Sequence, residues 1–72
     1  MKFKLSKGEM LRVTYFDTDN NPLFILTSKE GQGIFYLYEV LESGALKKLG
    51  KSKSPKELEV KFSVYEKMRG GK

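Results

Sequence analysis

The stretch SKSPKELEVKFSVYEKM, residues 52–68, decides the fold of this chain. It begins like a helix, because Ser54 is a favourable N-cap, Pro55 suits the first helical position and Glu57 completes a capping box. Arg69 suits a last helical turn, and Gly70 can end it. Apolar residues recur between these signals on one helical face: Leu58, Phe62 and Tyr65. The segment is therefore predicted to be a helix from residue 55 to residue 68.

The same stretch also alternates in the manner of a strand. Every second position is apolar over one part of it: Leu58, Val60, Phe62 and Val64. Such alternation indicates a β-strand, which here would close the molecule into a small barrel. We prefer the helix, because a matched start and stop arise less easily by chance than four alternations.

Working outward, four segments of strand character lie between clusters of turn residues, at 10–16, 23–28, 34–41 and 45–51. The third is apolar on both faces, which is typical of a strand in the middle of a sheet. The predicted fold is α+β: a four-stranded antiparallel β-meander with one C-terminal helix packed on one face. The alternative is a small all-β barrel. Phe3 and Leu5 indicate a further short edge strand at the N-terminus.

The length of 72 residues predicts a single small domain, residues 1–72, with residues 69–72 as a frayed tail. The chain contains no cysteine, histidine or tryptophan. Metal sites built on thiolates or imidazoles and most nucleophile–base pairs are thereby excluded. We expect a non-enzymatic protein without metal, cofactor or small-molecule substrate. Without a membrane span or a secretory signal in the sequence, we expect a cytoplasmic protein with no membrane partner.

The net charge of +5 is concentrated toward the C-terminus, where residues 47–72 carry nine basic and three acidic residues. The densest part holds five lysines with no acid between them: Lys47, Lys48, Lys51, Lys53 and Lys56. Such a group can contact phosphates, and neighbouring aromatic rings can stack on bases. Lysines also commonly protect the edge strand of a sheet from unwanted pairing, which is the competing interpretation.

The sequence therefore predicts a small nucleic-acid-binding module, with DNA or RNA as its partner, that uses a basic patch beside aromatic residues on a β-sheet. The candidate residues comprise five basic side chains and two tyrosines: Arg12, Tyr36, Tyr38, Lys47, Lys48, Lys51 and Lys53. The basic residues would contact phosphates and the tyrosines would stack.

The alternative prediction is a protein-interaction or regulatory subunit, of phage or mobile-element type, that acts as a homodimer or with a protein partner. One helix covers only one face of a four-stranded sheet. The uncovered face is then expected to expose an apolar patch drawn from six side chains: Phe16, Phe24, Leu26, Tyr36, Tyr38 and Val40. A contiguous apolar patch of this kind marks an interface.

The strand and helix order, together with the small size and basic character, resembles the layout of whirly-type single-strand-binding domains, which act as dimers. The stretch from Phe35-Tyr36-Leu37-Tyr38 to Glu57-Leu58 also resembles the sheet-then-helix DNA-binding arms of some integrases. Both resemblances imply nucleic-acid binding, and both concern architecture, which hosts many functions.

Overall fold

The computed structural model describes residues 3–69. Its elements are β1 (Glu9–Phe16), β2 (Pro22–Lys29), β3 (Phe35–Val40), β4 (Leu46–Ser52), α1 (Pro55–Lys61) and α2 (Val64–Met68). The strands are antiparallel and form one open sheet in the order β1-β2-β3-β4. The predicted α+β meander is confirmed. The barrel alternative is wrong, because β1 and β4 stay at opposite edges of the sheet.

The turns follow from local hydrogen bonding. Between β1 and β2, the Asp17 carboxylate accepts the backbone N–H groups of Asp19 and Asn21, both at 2.8 Å. Between β3 and β4, Gly44 adopts a φ of 91°, a left-handed conformation that glycine reaches without steric strain. Both turns are short, so that consecutive strands pair directly as a meander.

The C-terminal segment is helical as predicted, but it forms two short helices instead of one. At the start of α1, Ser54 Oγ accepts the Glu57 N–H at 3.4 Å, while the Glu57 carboxylate accepts the Ser52 hydroxyl. The predicted continuous helix is interrupted at Ser63, whose φ of 52° and ψ of 44° are left-handed. A right-handed helix cannot continue through that conformation, so the chain turns and α2 begins at Val64.

The two helices cover one face of the sheet. The buried cluster on that face combines strand and helix residues: Tyr15, Phe24, Leu26, Leu37, Leu58 and Val64. Gly50 of β4 faces the same side, and an added Cβ there would lie 3.1 Å from the Phe62 ring. The absence of a side chain at Gly50 therefore lets α1 approach the sheet closely.

The expected N-terminal strand around Phe3 and Leu5 is absent: within the described chain, the first strand begins at Glu9. A turn at Ser6–Glu9 precedes it, in which the Glu9 N–H donates to the Ser6 carbonyl at 3.0 Å. This turn redirects the backbone before β1. At the other end, residues 70–72, which include most of the expected frayed tail and the predicted stop at Gly70, lie outside the described residues.

Three register shifts, two in the β1–β2 pairing and one in the β3–β4 pairing, change which face side chains point to. In β1, Leu11 pairs with Thr27 and Val13 with Leu26, so Arg12 is the extra residue. A regular strand would place Leu11, Val13 and Tyr15 on one face, but the bulge moves Leu11 to the opposite face. No helix among residues 3–69 is long and apolar enough to cross a membrane.

Candidate nucleic-acid interface

The face of the sheet opposite the helices, here called the open face, carries lysines from two strands. In β4, Lys48 pairs with Tyr38 and Lys51 pairs with Tyr36. Residues three apart in a regular strand point to opposite faces. Here the register shifts between these pairs, because Leu49 is an extra residue in β4. The bulge therefore brings Lys48 and Lys51 onto the same face, about 7 Å apart along the strand direction.

Tyr36 is the centre of this arrangement. The ammonium of Lys48 lies 4.9 Å from the centroid of its ring, and that of Lys29 lies 6.0 Å from the same centroid. Both distances are within the range of a cation–π contact. The Tyr36 hydroxyl donates to Gln32 Oε1 at 3.2 Å. Lys29, Lys48 and Lys51 are named the lysine face below.

Lys29 was not among the sequence candidates. It ends β2 and falls two residues after Thr27, which pairs with Tyr36. The alternation of β2 places Lys29 on the same face as Thr27. Only the strand register shows that Thr27 lies opposite Tyr36, which brings Lys29 close to that ring. Sequence reasoning therefore missed a basic residue on the same face because it is distant from the lysine-rich segment in the chain.

Tyr38 is held by a buried polar network. Glu9 Oε2 accepts the hydroxyls of Thr27 at 2.5 Å and Tyr38 at 2.7 Å, and its Oε1 accepts the backbone N–H of Ser6 at 2.9 Å. Burial by itself would raise the pKa of the Glu9 carboxyl, but these hydrogen bonds outweigh it and the pKa lies below its ordinary value. Burial and the bond to Glu9 raise the pKa of Tyr38 to about 12. Glu9 is therefore an anion and Tyr38 a neutral donor at neutral pH.

The other sequence candidates lie elsewhere. Lys47 pairs with Glu39, on the side of the sheet that the helices cover. Lys53 is exposed in the link between β4 and α1. Arg12 is exposed at the bulge of β1, the opposite edge of the sheet from β4. Three strand spacings of about 4.8 Å separate those edges, so Arg12 lies roughly 14 Å from β4. The structure thus brings Tyr36, Lys48 and Lys51 together and leaves Arg12 apart.

The acidic side chains of the helices lie on the other side of the molecule. Glu59 of α1 accepts the hydroxyl of Tyr15 at 2.5 Å, which links the helix to β1. Burial and this bond raise the pKa of Tyr15 well above its ordinary range. Hydrogen bonding of Tyr65 to Glu59, together with burial and the charge of Glu59, raises the pKa of Tyr65 as well. This carboxylate is directed toward tyrosines on the helix side, so it does not neutralise the lysine face.

The expected apolar patch on the uncovered face is not what the structure shows. Phe24 and Leu26 are buried against the helices, and Tyr36 is buried on the open face itself. Of the six expected side chains, Phe16 is clearly exposed. Exposed apolar surface is instead concentrated on β1, where four side chains are between 41 and 47% exposed: Met10, Leu11, Val13 and Phe16. The largest group of exposed apolar side chains on one element therefore lies at an edge of the sheet, distant from the lysines of β4, while Leu41, Val60 and Tyr65 are exposed elsewhere.

A shallow groove lies at one end of the sheet, between the β1–β2 and β3–β4 turns. Its lining includes the acidic residues Asp17 and Glu42, together with Pro22 and Leu41. Carboxylates repel phosphate, so this groove does not extend the lysine face. Over residues 3–69, no three acidic side chains lie close enough together to hold a metal ion.

Comparison of the chain with protein-family models, with curated proteins and with solved structures finds no match.

Proposed function

We propose that this protein binds nucleic acid through the phosphate backbone, using the lysine face. The observation that carries the proposal is the convergence of two ammonium groups from two strands, Lys29 and Lys48, on the single ring of Tyr36. Lys51 pairs with the same tyrosine from β4. Three positive charges on one side of a sheet create a local field that attracts a polyanion.

Two further features support this proposal. In the strand pairing of the described residues, the anionic Glu9 lies opposite Lys29, while Lys48 and Lys51 lie opposite tyrosines, so the face keeps a net positive charge. The net charge of +5 also favours association with polyanions over association with basic partners. The proposal places the protein in the cytoplasm, where it would meet nucleic acid.

The test is a salt titration of binding to a short labelled duplex, followed by fluorescence anisotropy. Neutralising three phosphates predicts a slope of about −2.7 for log K against log salt concentration. Replacing Lys48→Gln together with Lys51→Gln leaves one contact and predicts a slope of about −0.9.

The matched control is Lys56→Gln with Lys61→Gln, which removes the same net charge from α1. This control is expected to retain a slope close to that of the wild type. An equal loss in both double variants would show that net charge alone drives binding, and absence of binding at about 50 mM salt would contradict the proposal.

A second candidate function, self-association, is favoured by a different observation. β1 is an edge strand, and four of its eight side chains are large, apolar and more than two-fifths exposed. The opposite edge strand, β4, carries Lys47, Lys48 and Lys51, which discourage pairing. The two edges therefore differ, and β1 is the edge on which a second copy would pair, because an antiparallel pair of identical strands satisfies two-fold symmetry.

A further inference from the structure

The lysine face lacks an exposed aromatic surface, and this limits the kind of nucleic acid it can hold. Tyr36 is only 9% exposed, with its hydroxyl bonded to Gln32 and its ring approached by Lys29 and Lys48. A base would have to displace these ammonium groups to stack on the ring. Tyr36 therefore positions the lysines and does not offer a stacking platform.

Tyr38 is also held in place by a hydrogen bond. Its hydroxyl donates to Glu9, which also accepts the hydroxyl of Thr27. Turning the ring outward to meet a base would leave a buried carboxylate with one donor fewer, which is unfavourable for a charged group removed from water. The network therefore opposes the movement that stacking on Tyr38 would need.

The exposed aromatic side chains lie away from these lysines. Phe16 ends β1 at the other edge of the sheet, and Tyr65 belongs to α2, where its ring makes an edge-to-face contact with Tyr15 at 6.2 Å. Within residues 3–69, these two most exposed rings and the lysines of β4 therefore occupy different parts of the molecule, and Tyr38, which pairs with Lys48, is partly exposed with its hydroxyl bonded to Glu9.

We infer that the ligand of the lysine face is double-stranded nucleic acid, contacted at its phosphates, and not a single strand. This inference rests on the proposed function and specifies its substrate class. Proteins that bind single strands gain much of their affinity from stacking bases on exposed aromatic rings, a contribution that this face does not supply. A duplex presents a denser and more regular array of phosphates than a single strand. Each phosphate contact therefore releases more bound counterions: the slope of log K against log salt concentration is about −0.9 per contact for a duplex and about −0.7 for a single strand.

The experiment compares four probes of about 20 nucleotides or base pairs: a DNA duplex, an RNA duplex, a thymidine oligonucleotide and a mixed-sequence single strand. The expected result is tighter binding of duplex than of either single strand, by roughly tenfold at low salt. The DNA and RNA arms distinguish the two sources of duplex phosphate.

Tyrosine emission gives a second readout that needs no variant, because the chain has four tyrosines and no tryptophan. Stacking on a base quenches tyrosine emission, so binding of the duplex is expected to leave the emission nearly unchanged. The variant Tyr38→Phe keeps the ring but removes the bond to Glu9 that opposes its outward movement, so it is expected to strengthen single-strand binding and narrow the preference for duplex.

Two results would overturn the inference while leaving the proposed function in place: equal or tighter binding of single strands, or strong quenching of tyrosine emission on binding. Failure to bind any of the four probes would instead contradict the proposed function itself.

Discussion

At the scale of single residues, Glu9 has the most unusual environment in the sheet. Its carboxylate is buried on the open face and accepts three hydrogen bonds, which connect β1 with β2, β3 and the preceding turn. Because the folded protein lowers its pKa below the ordinary value of 4.5, Glu9 stabilises the fold at pH values above that number. This contribution is lost as the pH falls through the lowered pKa.

We therefore predict that Glu9→Gln lowers the free energy of unfolding by about 1–3 kcal/mol at pH 7, because an amide NH₂ group would meet the hydroxyls that now donate to the carboxylate. The difference from the wild type is expected to shrink below about pH 4.5, where the unfolded wild-type chain begins to bind a proton at Glu9, and to keep shrinking as the pH falls through the lowered pKa of the folded protein. Urea unfolding at several pH values measures both effects. The exposed acid Glu42 provides the control Glu42→Gln, and a pH-independent difference for Glu9→Gln would contradict the argument.

At the scale of elements, the break between α1 and α2 depends on Ser63. A non-glycine residue in the left-handed region costs roughly 1–2 kcal/mol, and Ser63 makes no capping hydrogen bond with its side chain that would offset this cost. The sequence pattern of the segment favours a continuous helix. The break at Ser63 separates α1 from α2, and each helix places one residue in the core, Leu58 from α1 and Val64 from α2.

We predict that Ser63→Gly stabilises the protein by about 0.5–1 kcal/mol, because glycine adopts the left-handed conformation without strain and loses only part of that gain through greater freedom when unfolded. Thermal and urea unfolding measure the change. Ser43→Gly is the matched control, since Ser43 is exposed in a turn and does not have a positive φ. A lower free energy of unfolding for Ser63→Gly would contradict this prediction. It would show that the serine side chain stabilises the fold by more than its strained backbone destabilises it.

At the scale of the whole molecule, charge and apolar surface are separated across the sheet. The lysines of β4 lie at one edge, and the exposed apolar side chains of β1 lie at the other. Arg12 is the single charged side chain among residues 10–16 of β1, and its bulge is a device that commonly discourages edge pairing. Self-association through β1 must therefore gain enough from its apolar side chains to overcome these two features.

Sedimentation equilibrium over a concentration series tests that second candidate function. The wild type is expected to approach twice its monomer mass, while Val13→Lys is expected to remain monomeric, because an ammonium group in the middle of β1 opposes strand pairing. Val60→Lys is the control, since Val60 is an exposed apolar residue on α1. A wild type that stays monomeric at every concentration would rule this function out.

Much of the fold was predictable from the sequence because it depends on local signals. Turn residues separated the strands, and the pair Ser54-Pro55 marked the start of a helix, as the bond from the Glu57 N–H to Ser54 Oγ confirms. The sequence pattern did not predict the left-handed conformation of Ser63, because serine has no strong preference for that conformation. Its backbone is decided by how the two helices pack.

The sequence by itself determined the helix start, the meander, the excess of lysine near the C-terminus and the lack of histidine and cysteine chemistry. The tertiary structure alone decided which side chains share a face. The bulge at Leu49 joined Lys48 with Lys51, and strand pairing added Lys29 and buried Tyr36. The physical reason is that a strand alternates with a period of two residues, so a single extra residue reverses every face that follows it, and only the pairing of strands reveals where that residue lies.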